Sequence, residues 1–298
     1  MTEPHLSGTY DQLLDAALWS EAEGLVSFAR SDHYMSGGTP TPDATDAFAT
    51  LAGLARETST IRLCILVSPI TFRHPAVILK NAISIDQMSG GRFDLGVGTG
   101  WYQMEHEAFG LPFPPWSERF DRFEETLHYL DAGFADRPAD FKGNYYSLNG
   151  DIQPKPENIR LVIGGSGPKR TPTLAGTWAD EYNFFTCPPD VAREKIEVMR
   201  ASAGDRAVEV TVMGPALVGR TQLEYEDRLA ASAAKGDRTP RELEEVFVSR
   251  GFPVGTPDRA AETLASLEEA GVERMYVQWL DMDEPETMKD TVDILRSA

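Results

Sequence analysis

SGGRFDLGVGTGW, Ser89 to Trp101, runs directly into YQMEHEAFG and reads as a helix end, a tight turn, a short buried strand and a glycine-rich loop. Gly90 and Gly91 accept the positive φ that stops a helix. Phe93, Leu95 and Val97 alternate with smaller residues, as a strand allows. Gly96, Gly98 and Gly100 strip side chains from the strand's C-terminal end. That is the end at which a parallel α/β fold admits a ligand against its backbone. The spacing GxGxG is not the GxGxxG dinucleotide fingerprint, and no helix starts at its third glycine. A tightly packed barrel strand would use the same residues.

Outward from this stretch, helix and strand patterns alternate. Tyr10 to Glu23 is an amphipathic helix stopped by Gly24, and Leu25 to Arg30 is a short strand. Asp43 to Thr58 is helical, and Ile61 to Val67 is a nearly continuous apolar run, as in a strand buried on both faces. Pro75 opens a helix with an Ile78, Ala82, Ile85 stripe, and Phe120 to Phe134 keeps helical spacing. A polar excursion, Asp136 to Asn158, predicts a small hairpin around FKGNYYSL. Strands follow at Arg160 to Ile163, Glu181 to Phe185, Val208 to Val212 and Met275 to Leu280. Thr221 to Arg250 reads as helical and exposed, and Thr256-Pro257-Asp258 caps a helix stopped by Gly271.

This alternation predicts a parallel α/β fold over residues 1–298 as one domain, a (β/α)8 TIM barrel with loop insertions. Seven strand ends are countable, near Ser31, Ser68, Gly98, Gly164, Phe185, Val212 and Leu280. The eighth is short at the start, where MTEPHLSG leaves only the tail of a first strand. A doubly wound open sheet is the other α/β arrangement; the missing dinucleotide fingerprint argues against it.

A formal charge of −19 speaks against nucleic acid as a partner, because phosphate contacts need a basic face. Any phosphate site must then be local, and Lys155, Arg160, Lys169 and Arg170 form the one modest basic cluster near a glycine turn. No apolar run approaches the ~18 residues of a membrane helix and no secretory leader opens the chain, so a reduced, cytoplasmic enzyme is the expectation. Cys64 and Cys187 stand far apart, outside any CxxC or metal pattern, and the five histidines lack ligand spacing, so no metal is expected.

The longer string IDQMSGGRFDLGVGTGW followed by EHEAFGLPF closely resembles the bacterial luciferase-like family of flavin- and deazaflavin-dependent oxidoreductases. So do SDHY at Ser31 to Tyr34, the block QPKPENIRLVIGGSGPKRTPTLAGTWADEYN, and the ending VGTPDRAAETLASLEEAGVERMYVQW. The resemblance implies a hydride transferred between a cofactor and a small organic substrate, in a homodimer. The combined pattern leans toward the deazaflavin F420; FMN, with oxygen activation and monooxygenation, is the alternative. A degenerate barrel that binds a flavin without turnover is a third reading. The chain departs from the family's F420-linked sugar-phosphate dehydrogenases: Trp101 stands where they carry glutamate after GTG, and Ser36-Gly37 where they carry tryptophan.

Asp32 and His33 sit just past a strand end, on the catalytic face of a barrel. A histidine there donates to a cofactor carbonyl or shuttles a proton, and Asp32 orients it or binds the ring edge; a local loop cap is the plainer reading. The resemblance implies a non-prolyl cis peptide near Ile65-Leu66 behind the ring system, with Ser68 as a hydrogen-bond partner to the ring or a strand-end cap. Gly98, Thr99 and Gly100 let backbone approach the cofactor, and Trp101 and Tyr102 wall the pocket or seal the barrel mouth. Glu105-His106 reads as a solvated helix start, with an acid–base role as the alternative. Gly164, Gly165, Ser166 and Gly167 end a strand before a helix opened by Pro168, where free N–H groups suit a phosphate. Loops Ser36 to Pro42, Trp101 to Trp116 and Thr221 to Arg250 are expected to shape the substrate pocket.

Overall fold

Residues 1–6, 8–36 and 44–298 are described by the computed structural model. A 3-10 turn, Pro4–Leu6, precedes α1 (Tyr10–Ala22), β1 (Ser27–Arg30), α2 (Ala47–Glu57), β2 (Arg62–Pro69), α3 (Pro75–Ser89) and β3 (Phe93–Gly98). Then come α4 (Gln103–Phe109), α5 (Trp116–Phe134), β4 (Ala139–Lys142), β5 (Ser147–Gly150), β6 (Arg160–Gly164), α6 (Arg170–Trp178) and β7 (Glu181–Phe185). The chain continues through α7 (Pro189–Ala203), β8 (Glu209–Gly214), β9 (Leu217–Val218), α8 (Gln222–Lys235) and α9 (Pro240–Ser249). It closes with β10 (Val254–Gly255), α10 (Pro257–Glu269), β11 (Arg274–Val277) and α11 (Pro285–Ser297).

The seven long-sheet strands follow chain order, β1, β2, β3, β6, β7, β8 and β11. That is the order of a TIM-type (β/α)8 barrel; a doubly wound sheet would reverse at a switch point. Two compact units form, Thr2–Gly165 with Trp178–Glu181, and Met1 with Ser166–Thr177 and Tyr182–Ala298. The expected tail of a first strand is two residues long. Thr2 pairs parallel with Arg30, its N–H donating to the Ala29 carbonyl at 2.8 Å. In the other unit the Met1 amino group donates to the Val277 carbonyl at 2.9 Å, and Trp279 N–H to the Met1 carbonyl at 2.7 Å.

In the first unit β1, β2, β3 and β6 pair in parallel, with Leu63, Cys64, Ile65, Phe93, Leu95 and Val97 fully buried. β2 carries one extra residue: Ile65 opposes Leu95, but Ser68 opposes Val97. A non-prolyl cis peptide lies inside this bulge at Leu66–Val67, one residue on from the expected Ile65-Leu66. The bulge turns the Val67 side chain onto the bare backbone of its neighbours. A Cβ on Gly96 would stand 2.0 Å from the Ile65 carbonyl oxygen and 2.9 Å from a Val67 methyl. One on Gly98 would meet Val67 at 2.9 Å, and one on Gly164 at 2.5 Å. The glycines of β3 are therefore required first by β2, not by open space for a ligand.

The starts of these strands carry charge instead of hydrocarbon. Asp94 is fully buried, 2.6 Å from Arg62, and Arg160 reaches both Asp94 and Glu181. Arg160 thus opens β6 while the glycine turn closes it, and Lys155 donates to the Gly133 carbonyl. Both leave the basic cluster read from sequence.

The predicted hairpin is β4 and β5, antiparallel, its turn fixed by Glu125, whose carboxylate accepts the N–H groups of Asn144, Tyr145 and Tyr146. In the second unit the charged segment is two helices, α8 and α9, with a Thr239 capping box. It is not wholly exposed, because Tyr225, Leu229, Ala233 and Leu243 bury a small core with Val254. No helix among the described residues is long and apolar enough to cross a membrane.

Gly96→Ala should cost about 3 kcal/mol or more, since a backbone carbonyl must move to admit the methyl. Gly110 also has positive φ but nothing within 4 Å of its missing Cβ, so Gly110→Ala reports the dihedral cost alone, roughly 1 kcal/mol. Urea denaturation of both variants compares the two; equal losses would show that the strand contact carries no weight.

Candidate functional site

The residues after β1 and β3 come together in the first unit. Asp32 follows β1 and is buried at 1% exposure. Its carboxylate accepts from Ser68 Oγ at 2.7 Å and from Arg73, Nη1 to Oδ2 at 2.5 Å and Nη2 to Oδ1 at 3.1 Å. Arg73 also donates to Asp46 Oδ2 at 2.5 Å and lies over the Phe48 ring. Burial alone would lower the proton affinity of this guanidinium, but Asp32 and Asp46 raise it, so it is a permanent cation. Asp46 caps α2 through the Ala49 N–H and receives the Tyr34 hydroxyl at 3.3 Å. Asp32 does not orient His33. It is spent on Arg73 and Ser68, and Ser68 is in turn spent on it.

His33 is held from another element. Its Nδ1 lies 3.0 Å from Glu105 Oε2, and Glu105 Oε1 accepts the N–H groups of Tyr34 and of Met35, the latter at 3.1 Å. Glu105 and His106, read as a solvated helix start, are each 1% exposed. The reason is tertiary: α4 folds back so that its first turn seals the end of β1. Burial pushes Glu105 up, but the bonds from His33, Tyr34 and Met35 prevail and hold it below its ordinary 4.5. Burial pushes His33 down, but the Glu105 hydrogen bond and charge, with Glu3 and Asp32 behind them, raise it above 6.5. His106 is satisfied on both nitrogens, Nδ1 donating to the Tyr102 carbonyl at 2.8 Å and Nε2 accepting from Thr71 Oγ1 at 2.6 Å. It is a tether between α4 and the end of β2.

Around His33 the walls are aromatic. Trp101 and Tyr102 stack on each other at 5.0 Å and present edges to the imidazole at 5.7 and 6.1 Å. Trp101 is 69% exposed. Half-buried Val67 covers Gly96, Gly98 and Gly164. Gly98 is buried, Thr99 and Gly100 half-buried; Gly100 keeps Thr71 and Pro69 close, since a Cβ there would meet Thr71 Oγ1 at 2.8 Å. Ile65 is wholly in the core and presents no side chain to a ligand. Gly164 and Gly165 end the first unit. Ser166 and Gly167 belong to the second, where Ser166 Oγ accepts the Phe185 N–H and its carbonyl takes Lys195 Nζ at 2.5 Å. Residues 37–43, most of the first predicted pocket loop, lie outside the described residues.

Three functional groups escaped the sequence. Arg73 stood inside TFRHP with nothing local to mark a partner 41 positions away. Glu105 sat in a polar heptapeptide that scans as solvent-facing. Lys195 lies on α7, 29 positions from Ser166 and outside the basic cluster read near the glycine turn.

A model of the family described as luciferase-like monooxygenase matches residues 2–274. The pyrimidine monooxygenase RutA of Cronobacter turicensis is 34% identical over 143 residues, 47% of this chain and 37% of that protein. An F420-dependent glucose-6-phosphate dehydrogenase of Microbacterium testaceum is 33% identical over 175 residues, 58% of this chain and 52% of that protein. The chain thus spans about half the length of these curated relatives, or less. The solved EDTA monooxygenase of Chelativorans sp. BNC1 superposes with a TM-score of 0.83 at 14% identity, over 99% of this chain and 91% of that one, a likeness of fold.

Asp32→Asn removes one partner of a buried ion pair and should cost about 3 kcal/mol in urea denaturation; a loss below the error of the method would remove the pair from the frame of the site. The His33–Glu105 pair has its own pH signature. The raised affinity of His33 stabilises fully below pH 6.5 and fades as pH rises through the raised value, while the lowered Glu105 contributes above 4.5 and fades below it. His33→Gln should therefore lose most stability, about 2 kcal/mol, between those limits, with the gap closing as pH rises through the raised His33 value. A gap independent of pH would mean that the pair is not charged.

Proposed function

The chain belongs to the luciferase-like monooxygenase family, and from that membership we propose that it is an oxidoreductase passing a hydride between the deazaflavin F420 and a small organic substrate. The observation that carries this reading is His33: a histidine held through Nδ1 by a buried glutamate, with Nε2 lacking any hydrogen-bond partner among the described residues. Hydride transfer at a carbon bearing oxygen leaves a proton to be taken up or returned, and a histidine titrating near neutrality does this.

The residues present suit a planar ring system. Val67 offers a hydrocarbon floor, Trp101 and Tyr102 offer walls, and His33 Nε2 offers one polar atom to a ring carbonyl or a substrate oxygen. Asp32 and Ser68 act indirectly, by fixing the segment that carries His33. Thr99 and Gly100 follow the floor strand and would meet the edge of the ring. Within the second unit, Ser166 and Gly167, with Lys195 held on the Ser166 carbonyl, are proposed as a phosphate-binding turn. The bound deazaflavin supplies the carbon that carries the hydride; the protein supplies orientation, exclusion of water and proton handling. Arg73, the cation paired with the adjacent Asp32, is consumed by two carboxylates, which argues for a neutral substrate over an anionic one.

The second reading, an FMN-dependent monooxygenase, is favoured by the similarity to the pyrimidine monooxygenase over nearly half of this chain. Titration of the protein with F420 and separately with FMN, followed by tryptophan fluorescence, discriminates. Tight F420 and weak FMN binding supports the proposal; the reverse supports the monooxygenase; binding of neither supports a degenerate barrel. With F420 and a panel of small alcohols and ketones, His33→Ala should lower turnover on the order of 10²-fold or more with the fold intact.

A further inference from the structure

Glu105 reaches His33 from α4, 72 positions away in sequence, and each of its oxygens has a separate task. Oε1 accepts two backbone N–H groups, from Tyr34 and Met35, which fixes the carboxylate plane against the segment that follows β1. Oε2 is thereby left aimed at His33 Nδ1 at 3.0 Å. An ionised carboxylate only accepts hydrogen bonds. His33 Nδ1 must therefore carry a hydrogen whenever the contact is made, and the variable proton of the ring is the one on Nε2. Nε2 points away from Glu105 by the geometry of the five-membered ring.

The other charged and titratable groups around the ring agree with this assignment. His5, on the N-terminal 3-10 turn, lies with its centroid 4.7 Å from that of His33, tilted by 50°. Burial and the nearby His33 push it down to about 4, so it stays neutral and adds no competing charge. Glu3 lies beyond His5, its Oε2 3.5 Å from His5 Nδ1. Asp32, the adjacent residue, is neutralised by Arg73, and Arg30 is turned to Ser31 and Thr45. Glu105 is thus the one carboxylate in contact with the ring among the described residues.

We propose that Glu105 is a positioning residue for His33: it locks the hydrogen on Nδ1, makes Nε2 the nitrogen that exchanges a proton, and keeps the protonated ring in place. This deepens the functional reading above only in what Nε2 acts on; the state of the ring is a property of the protein alone.

The test is long-range 1H–15N correlation of the histidine rings in the cofactor-free protein, with His33 identified by its loss in His33→Gln. In the wild type, Nδ1 should stay protonated on both sides of the His33 titration, with Nε2 moving from the protonated to the pyridine-like shift. In Glu105→Gln, the amide oxygen can still accept the Tyr34 and Met35 N–H groups while its NH2 donates to Nδ1. The proton should then move to Nε2 and the ring should become neutral at pH 7 or below. Glu105→Asp keeps the charge and should return the Nδ1–H form at least in part. A wild-type ring with its hydrogen on Nε2 overturns the proposal without any variant, as does a Glu105→Gln ring unchanged in tautomer and titration. With F420 and substrate, Glu105→Gln should lower turnover on the order of 10-fold or more and flatten the limb of the pH profile due to His33, with KM little changed. Failure of F420 and FMN to bind would sink the functional reading and leave the ring spectra to decide the role of Glu105.

Discussion

The contact on which the rest of the site depends is that of Val67 with bare backbone on two neighbouring strands. The extra residue in β2 displaces the strand sideways, and Gly96, Gly98 and Gly164 leave room for it. A β-bulge re-aims the side chains that follow it. Here it brings Ser68 into register with Val97, and so to Asp32, and starts the turn that carries Arg73. With a side chain at Gly96, β2 could not stand where it does. Asp32, Ser68 and Arg73 would then lose their common frame, and with it the segment that ends in His33. A glycine pattern that resembles a ligand-binding loop is first a packing device, and the ligand-facing surface is what that packing leaves exposed.

Charge is handled differently at the two ends of these strands. At their starts, Arg62, Asp94, Arg160 and Glu181 alternate in sign along the sheet, a buried network in which each carboxylate has a cation. At their ends, Asp32 and Asp46 share Arg73, and Glu105 has His33. The difference is that one of the two cations at the strand ends, the His33 imidazole, can give its proton up. An acidic chain with a net charge of −19 has thus isolated one titrating cation beside a surface lined with aromatic and aliphatic groups.

Periodicity made the scaffold legible. The seven strands, the major helices and the hairpin all stand where hydrophobic spacing and turn residues put them, because those signals are local. What failed to read was tertiary. Glu105 and His106 look solvated because their neighbours Gln103, Met104 and Glu107 are exposed; only the return of α4 over β1 buries them. Arg160 joined a basic cluster on paper through closeness in sequence, but a strand carries its two ends apart, and Arg160 is at the wrong one. The first strand looked cut off because two ladder residues are too few for any pattern. Asp32 was recognisable as a site residue by position, but its partner Arg73 was not, since an ion pair across 41 residues leaves no trace in spacing.

Arg73 grips both stems of one loop, Asp32 on one flank and Asp46 with the cap of α2 on the other. A single guanidinium therefore closes the loop at its base. The entropy of closing a loop rises only slowly with its length once the stems are pinned. Within this loop, His33, Tyr34 and Met35 are held separately, by Glu105. The segment after β1 thus has two independent anchors, a permanent ion pair at its base and a titratable one beside it.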